Sequence, residues 1–473
     1  MLMKRVFPVF AVLLLLLSFT TALAQDDMIP VRQWASSATA SSQFGDISWA
    51  AAQATGAPNT FACGDIGTAW ASATSTEQAS LTVLFDVPVF PSQVNIHQSY
   101  NPGAITGIDL IVADTGELLE VTNSADPGGV PCPGVLTVDI LGDTDPVNGV
   151  VIYLDQSKVG NWNEIDAVEL VGDAAPGVEV SMWAEYAEAT SQFSNSSWSA
   201  LQAIGAPDTF DCGDIGTAWA SESSTGQDEL WVYFPHVVIP TQLTIYETYN
   251  PGAITAVDLL LPDGSRLPIS KSSEPGAPCP GSMILDIDTS STAIGAVIQL
   301  DQSITGSWNE IDAVQMVGRL ASDGLTRQWA SGASATSAYG DNAYSAMQAI
   351  GTPNVRGCGD SPFAWASESS TGQDSLTVTF DQAVVPSRVE IFQTYNPGSI
   401  TGIELILADG SGNITVTDSG DPGNVPCAGV LVIDILGDVE PVNGVVIHLD
   451  QSSIGNWNEI DAVRLIGTAG SSK

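Results

Sequence analysis

The chain has 473 residues, with 54 acidic against 12 basic side chains and a formal charge of −42. Such a surface repels phosphate backbones and anionic lipid heads, which argues against nucleic acid and membrane surfaces as partners. The acids are scattered among apolar runs and form no block, so they read as a solvated surface, not a disordered tail.

The first 24 residues are expected to lie outside the fold. Lys4 and Arg5 precede an apolar run from Val6 to Phe19, and Ala22-Leu23-Ala24 fits a secretory cleavage site. The run is short and has no stop-transfer flank, unlike a membrane anchor. Residues 1–24 are therefore read as a signal peptide, and the protein as secreted or held at a cell surface. Without Lys4 and Arg5 the remaining chain carries ten bases and a formal charge of −44.

The rest of the chain is one domain written three times. Gly160-Asn-Trp-Asn-Glu-Ile-Asp-Ala-Val168 returns at 306–314, with Ser307 for Asn161, and again at 455–463. Trp162, Trp308 and Trp457 lie 146 and 149 residues apart. The domains are drawn at 25–173, 174–318 and 319–473. Units of this size can each bury a core, and the period is far too long for a solenoid.

Within each unit the elements read as strands. Trp34, Trp183 and Trp329 open the copies and are expected to pack inside. A single helical hint comes next, Tyr344 to Ile350, closed by Gly351 and matched at 49–56 and 198–205. Leu376-Thr-Val-Thr-Phe380 alternates apolar and polar. Further runs at 389–392, 403–407, 431–435 and 445–449 are separated by Gly, Pro, Asp and Asn. About eight short strands and one helical turn predict an all-β fold, an antiparallel β-sandwich of jelly-roll type.

Six cysteines in an exported protein could pair in fifteen ways. Each copy holds two, so one bridge per copy is expected: Cys63–Cys132, Cys212–Cys279 and Cys358–Cys427. Each loop of that length is worth about 4 kcal/mol in the chain-entropy picture.

The segments Ser197-Trp-Ser-Ala-Leu-Gln-Ala-Ile-Gly-Ala-Pro-Asp208, Cys212-Gly-Asp214, Tyr249-Asn-Pro-Gly252 and Asn309-Glu-Ile-Asp-Ala-Val314 carry a resemblance. Together they resemble a discoidin-like (F5/8 type C, galactose-binding-like) domain. The nearest variant is that of the pappalysin scarf region and of an F-box/leucine-rich-repeat protein. The resemblance implies the same eight-stranded sandwich. It also implies a cation clamped between a loop after the first strands and a carboxylate near the C-terminus. Its counterparts here are Asn59, Asp208 and Asn354 in the loop, with Glu164, Asp166, Glu310, Asp312, Glu459 and Asp461 on the last strand. Calcium would be the ion, since it takes six to eight oxygens, carbonyls included.

Catalysis finds little support. His97, His236 and His448 fall at non-equivalent places, and no His-Glu-x-x-His or Gly-x-Ser-x-Gly occurs. The chain is read as a non-enzyme without an organic cofactor. Asp65, Asp214 and Asp360, each two residues past a cysteine, are turn caps or ligand-binding candidates. Trp70, Trp219 and Trp365 read as core. Trp231 and Tyr233, replaced by Thr82/Leu84 and Thr377/Thr379 in the other copies, either stack on a sugar or meet a neighbouring domain. Asn195 and Asn413 begin glycosylation sequons. The expected activity is extracellular binding of a glycan or glycoprotein surface, with a structural or protein-docking scaffold as the rival.

Overall fold

A computed structural model describes residues 28–270 and 278–470, so the expected signal peptide lies outside the described residues. The first domain contains strands β1 (Ile29–Trp34), β2 (Ser37–Ala40), β3 (Gln78–Tyr100), β4 (Ile105–Val112), β5 (Leu118–Val121), β6 (Gly134–Asp139), β7 (Val147–Asp155) and β8 (Glu164–Ala174). The same eight recur as β9 (Glu179–Trp183) to β16 (Glu310–Leu320) and as β17 (Thr326–Trp329) to β24 (Glu459–Ala469). All described pairings between these strands are antiparallel. No helix among the described residues is long and apolar enough to cross a membrane.

The organising element is β3. Its first half pairs with β2 and β7, its second half with β6 and β8. One layer is therefore β2, β3, β7, β4 and β5; the other is β6, β3, β8 and β1. The sequence pattern suggests two separate strands here, at 376–380 and 389–392, but the chain runs straight through. In the third domain they form one 23-residue strand, Gln373–Tyr395, bent where the register shifts between Thr379 and Val384. No glycine interrupts it, so the shift bends the strand without ending it.

Alternation fills the space between the layers. Leu81, Val83 and Phe85 point inward from β3 and meet Ile108, Leu110, Ile152, Ile165 and Leu170. Each closing glycine has a steric reason: a Cβ on Gly172 would sit 2.3 Å from the Phe90 carbonyl oxygen, where β8 crosses the bend of β3. The helical hint is one 3-10 turn, Ala51–Ala54, matched at Ala200–Ala203 and Ala346–Ala349. The three disulfides join the expected cysteines, one per domain. Trp70, Trp219 and Trp365 are fully buried. Trp34, Trp183 and Trp329 are not: each is half-buried and leans on one ring of the next strand but one, His97, Tyr246 and Phe392 respectively.

Candidate functional site

The recurring motif at the start of β8 is mainly a clasp. Asn163 and Gln156 are both fully buried. The Asn163 N–H donates to Gln156 Oε1 at 2.7 Å, and Gln156 Nε2 donates to the Asn163 carbonyl and to Ser72 Oγ. Asn163 Nδ2 donates to the Tyr100 carbonyl while its Oδ1 accepts from Ala104 N–H, which pins the Tyr-Asn-Pro-Gly turn on both sides. Trp162 Nε1 donates to the Ser72 carbonyl at 2.9 Å. The third domain repeats the clasp with Gln451, Asn458 and Trp457.

The carboxylates of the motif point the other way along the same strand. Glu164 accepts from Ile66 N–H at 3.2 Å, and Asp166 Oδ2 accepts from both Asn59 and Thr60 N–H at 3.1 Å. Glu310 and Asp312 accept from Ile215 and Thr209; Glu459 and Asp461 accept from Ser361, Asn354 and Val355. Burial pushes Glu164 up to about 8, and Asp65 beside it adds to the push; Asp214 and Asp360 do the same to Glu310 and Glu459. Burial likewise raises Asp166 to about 7, Asp312 to about 6 and Asp461 to about 8.

This geometry brings the expected loop against the expected Asp of the last strand. The loop turns N–H groups toward Asp166 and Asp461, and in the second domain the Thr209 N–H donates to Asp312. Among the described residues, no cluster of three or more His, Cys, Asp or Glu is placed to hold a metal ion. Glu164 Oε1, Asp166 Oδ1, Asp312 Oδ1 and Asp461 Oδ1 are buried with no hydrogen-bond partner among the described residues.

Of the two roles expected for Trp231 and Tyr233, sugar stacking or contact with a neighbouring domain, Tyr233 takes the second. The Arg266 guanidinium lies 4.1 Å over the Trp231 ring and is itself held bidentately by Glu229. Tyr233 donates to Glu188 Oε1 at 2.7 Å and packs on Tyr186, whose other neighbour is Phe392 of the third domain. Both rings are half-buried, and Tyr233 belongs to an inter-domain aromatic cluster.

A different aromatic group does face solvent, in all three domains. Phe44 lies edge-on between Trp49 and Trp162, with both centroid distances 5.4 Å. Phe193 repeats this between Trp198 and Trp308 at 5.5 Å, and Tyr339 between Tyr344 and Trp457 at 5.3 and 5.6 Å. Edge-to-face contact at these distances is attractive and holds the outer rings in place. The central rings are 53%, 51% and 59% exposed. Trp49, Trp198 and Tyr344 have φ of 56°, 56° and 60°. A bulky side chain in the left-handed region is strained, and such strain gathers where geometry serves binding. Beside the rings, Asn161 Nδ2 donates to the Tyr100 hydroxyl at 3.0 Å, as Asn456 does to Tyr395. Sequence reasoning misses this triplet. Its only signal is an aromatic at 44, 193 and 339, in a loop where strand alternation says nothing.

The sequence matches the family described as the pappalysin-1 SD scarf domain, C-terminal, over residues 24–181, 175–323 and 318–473. The chain belongs to this scarf family. It does so three times in tandem. Among solved structures it is similar to a fucolectin from striped bass serum, at 13% identity, covering 61% of this chain and 100% of that one, with a TM-score of 0.24. It is also similar to a family 32 carbohydrate-binding module from Clostridium perfringens NanJ in complex with galactose, at 18% identity over 29% of this scarf chain and 99% of that one, with a TM-score of 0.23. An F5/8 type C domain from Bacteroides fragilis shares 14% identity over 31% and 98% of the two chains, with a TM-score of 0.23. No curated protein matches the sequence.

Proposed function

We propose that this triple scarf protein is a non-catalytic, extracellular binding protein whose modules grip glycans on a surface. The observation that carries the reading is the exposed ring held between two others in every domain, while the remaining repeated tryptophans are in the core or half-covered. The face of an aromatic ring is electron-rich and suits the polarised C–H face of a pyranose. Three such sites on one chain gain affinity for a repetitive ligand without new contacts.

Binding of the exported protein to a glycan array, with calcium and again with chelator, tests it. Binding is expected, and the triple variant Phe44→Ala, Phe193→Ala, Tyr339→Ala is expected to lose at least tenfold in affinity while keeping its circular dichroism spectrum. Loss on chelation would place a cation at Asp166, Asp312 or Asp461. Binding in both arms would leave calcium out. No binding in either would sink the glycan reading and favour the protein-docking scaffold, a reading supported by the aromatic and ionic contacts that the domains already make with one another.

A further inference from the structure

Besides the direct contact of β3 in domain one with β9 in domain two, the domains are held by one joint used twice with the same polarity. In the first use, the segment before Cys63 in domain one seats on domain three. Phe61 N–H donates to Asn342 Oδ1 at 3.0 Å, and its ring packs against the domain-three core. Ala57 covers Gly351, where an added Cβ would lie 2.5 Å from that of Ala57. Arg32 reaches Asp381 at 3.0 Å.

In the second use, the segment before Cys358 in domain three seats on domain two. Ser199 Oγ donates to the Arg356 carbonyl at 2.7 Å, the Arg356 guanidinium pairs with Asp208 at 3.1 Å, and Cys358 N–H donates to the Asn195 carbonyl. Gly357 abuts Ser196, and Arg464 reaches Glu185 at 2.9 Å. Aligned on the cysteines and tryptophans, Phe61, Phe210 and Arg356 are equivalent, as are Ile47, Ser196 and Asn342, and Gly56, Gly205 and Gly351.

Along these joints the order is therefore one, three, two, and each joint is heterologous, a donor segment on an acceptor loop. Two joints among three domains leave one donor and one acceptor over. They are Phe210 of domain two, 78% exposed, and Ile47 of domain one, 82% exposed. Around them Ala206, Asp211 and Cys212 are exposed on the donor, and Ser48, Ala52 and Gly56 on the acceptor. Their equivalents at the first joint, Ala57 and Ala62 on the donor and Ala343, Met347 and Gly351 on the acceptor, are at least partly covered, while Cys63 is exposed like Cys212. A heterologous contact that does not close on itself continues into the next molecule.

We propose that a second copy of this chain takes the open joint, the Phe210 segment of one molecule seating on the Ile47 loop of the next. Copies then join head to tail in the order one, three, two, one, three, two. The joint between copies is apolar at its centre, phenylalanine against isoleucine. It lacks the arginine of the internal joints, since Ser181 and Gln315 stand where Arg32 and Arg464 do. Assembly is accordingly expected to depend on concentration.

Sedimentation velocity on the exported full-length protein, over a concentration series at moderate and high salt, tests this. High salt screens the repulsion between strongly acidic copies. The wild type is expected to grow past the dimer as concentration rises. Phe210→Asp and Ile47→Asp, both surface changes checked for folding by circular dichroism, are each expected to stay monomeric. Mixed in equal amounts they retain one intact donor and one intact acceptor, and should form a one-to-one dimer and nothing larger. A wild type that is monomeric throughout overturns the proposal. So does assembly that both variants retain, or a mixture that stays monomeric.

Discussion

At the scale of single residues, the unusual feature is a set of buried carboxyl groups held by one loop each. Glu164 and Asp166 have folded-state values near 8 and 7, well above those of an unfolded chain. The native state therefore binds more protons than the unfolded state, and the stabilisation is complete only below about pH 4, the range of ordinary carboxyl groups. It is lost as pH rises through the folded values. Thermal unfolding followed from pH 5 to pH 9 should show a melting temperature that falls steadily. Each unit of raised pKa corresponds to about 1.4 kcal/mol. Glu164→Gln with Asp166→Asn, made also at the equivalent positions of the other two domains, should flatten that slope. A slope that persists unchanged would assign it to general charge repulsion instead.

At the scale of elements, the long strand and the glycine that crosses it set the architecture. Gly172→Ala is expected to destabilise the first domain by about 1–3 kcal/mol, the usual cost of forcing atoms into a filled site, because the new Cβ would overlap the Phe90 carbonyl. Chemical denaturation of the variant reads this directly, and an unchanged midpoint would mean that β8 moves aside without cost. Much of this level is legible in the sequence. The triplication, the sandwich, the cysteine pairs and the buried Trp70 follow from periodicity and from what each residue type does in a strand. The continuity of β3 is not legible, because a bend made by a register shift has no residue signature of its own. Nor are the roles of Trp231 and Tyr233. A two-residue periodicity places side chains on a face but does not say whether Arg266 or another domain covers it. The exposed ring at Phe44 escapes for a related reason: its partners Trp49 and Trp162 are 113 residues apart in sequence, and only the closing of the sandwich joins them.

At the scale of the whole molecule, positive charge, sparse in this chain, is used at the joints. Arg464 reaches Glu390 at 2.7 Å in its own domain and Glu185 at 2.9 Å in domain two, and its guanidinium lies 4.8 Å over the Trp329 ring. Removing it leaves Glu185 without its ion-pair partner and Glu390 with only Arg388 at 3.9 Å among the described residues, and breaking a buried pair in this way costs about 3–5 kcal/mol. Arg464→Met should therefore split the unfolding of domains two and three into separable calorimetric transitions, with domain two melting earlier. A single unshifted transition would show that the aromatic contact between Tyr186 and Phe392 suffices. The first and last strands of every domain lie side by side, Ile29 opposite Ala174 and Thr326 opposite Gly467. The chain thus enters and leaves each unit at the same edge. A gene segment encoding one whole unit can be duplicated or deleted in frame without rerouting any backbone, so lengthening this protein by copying is structurally easier than altering the interior of any one unit.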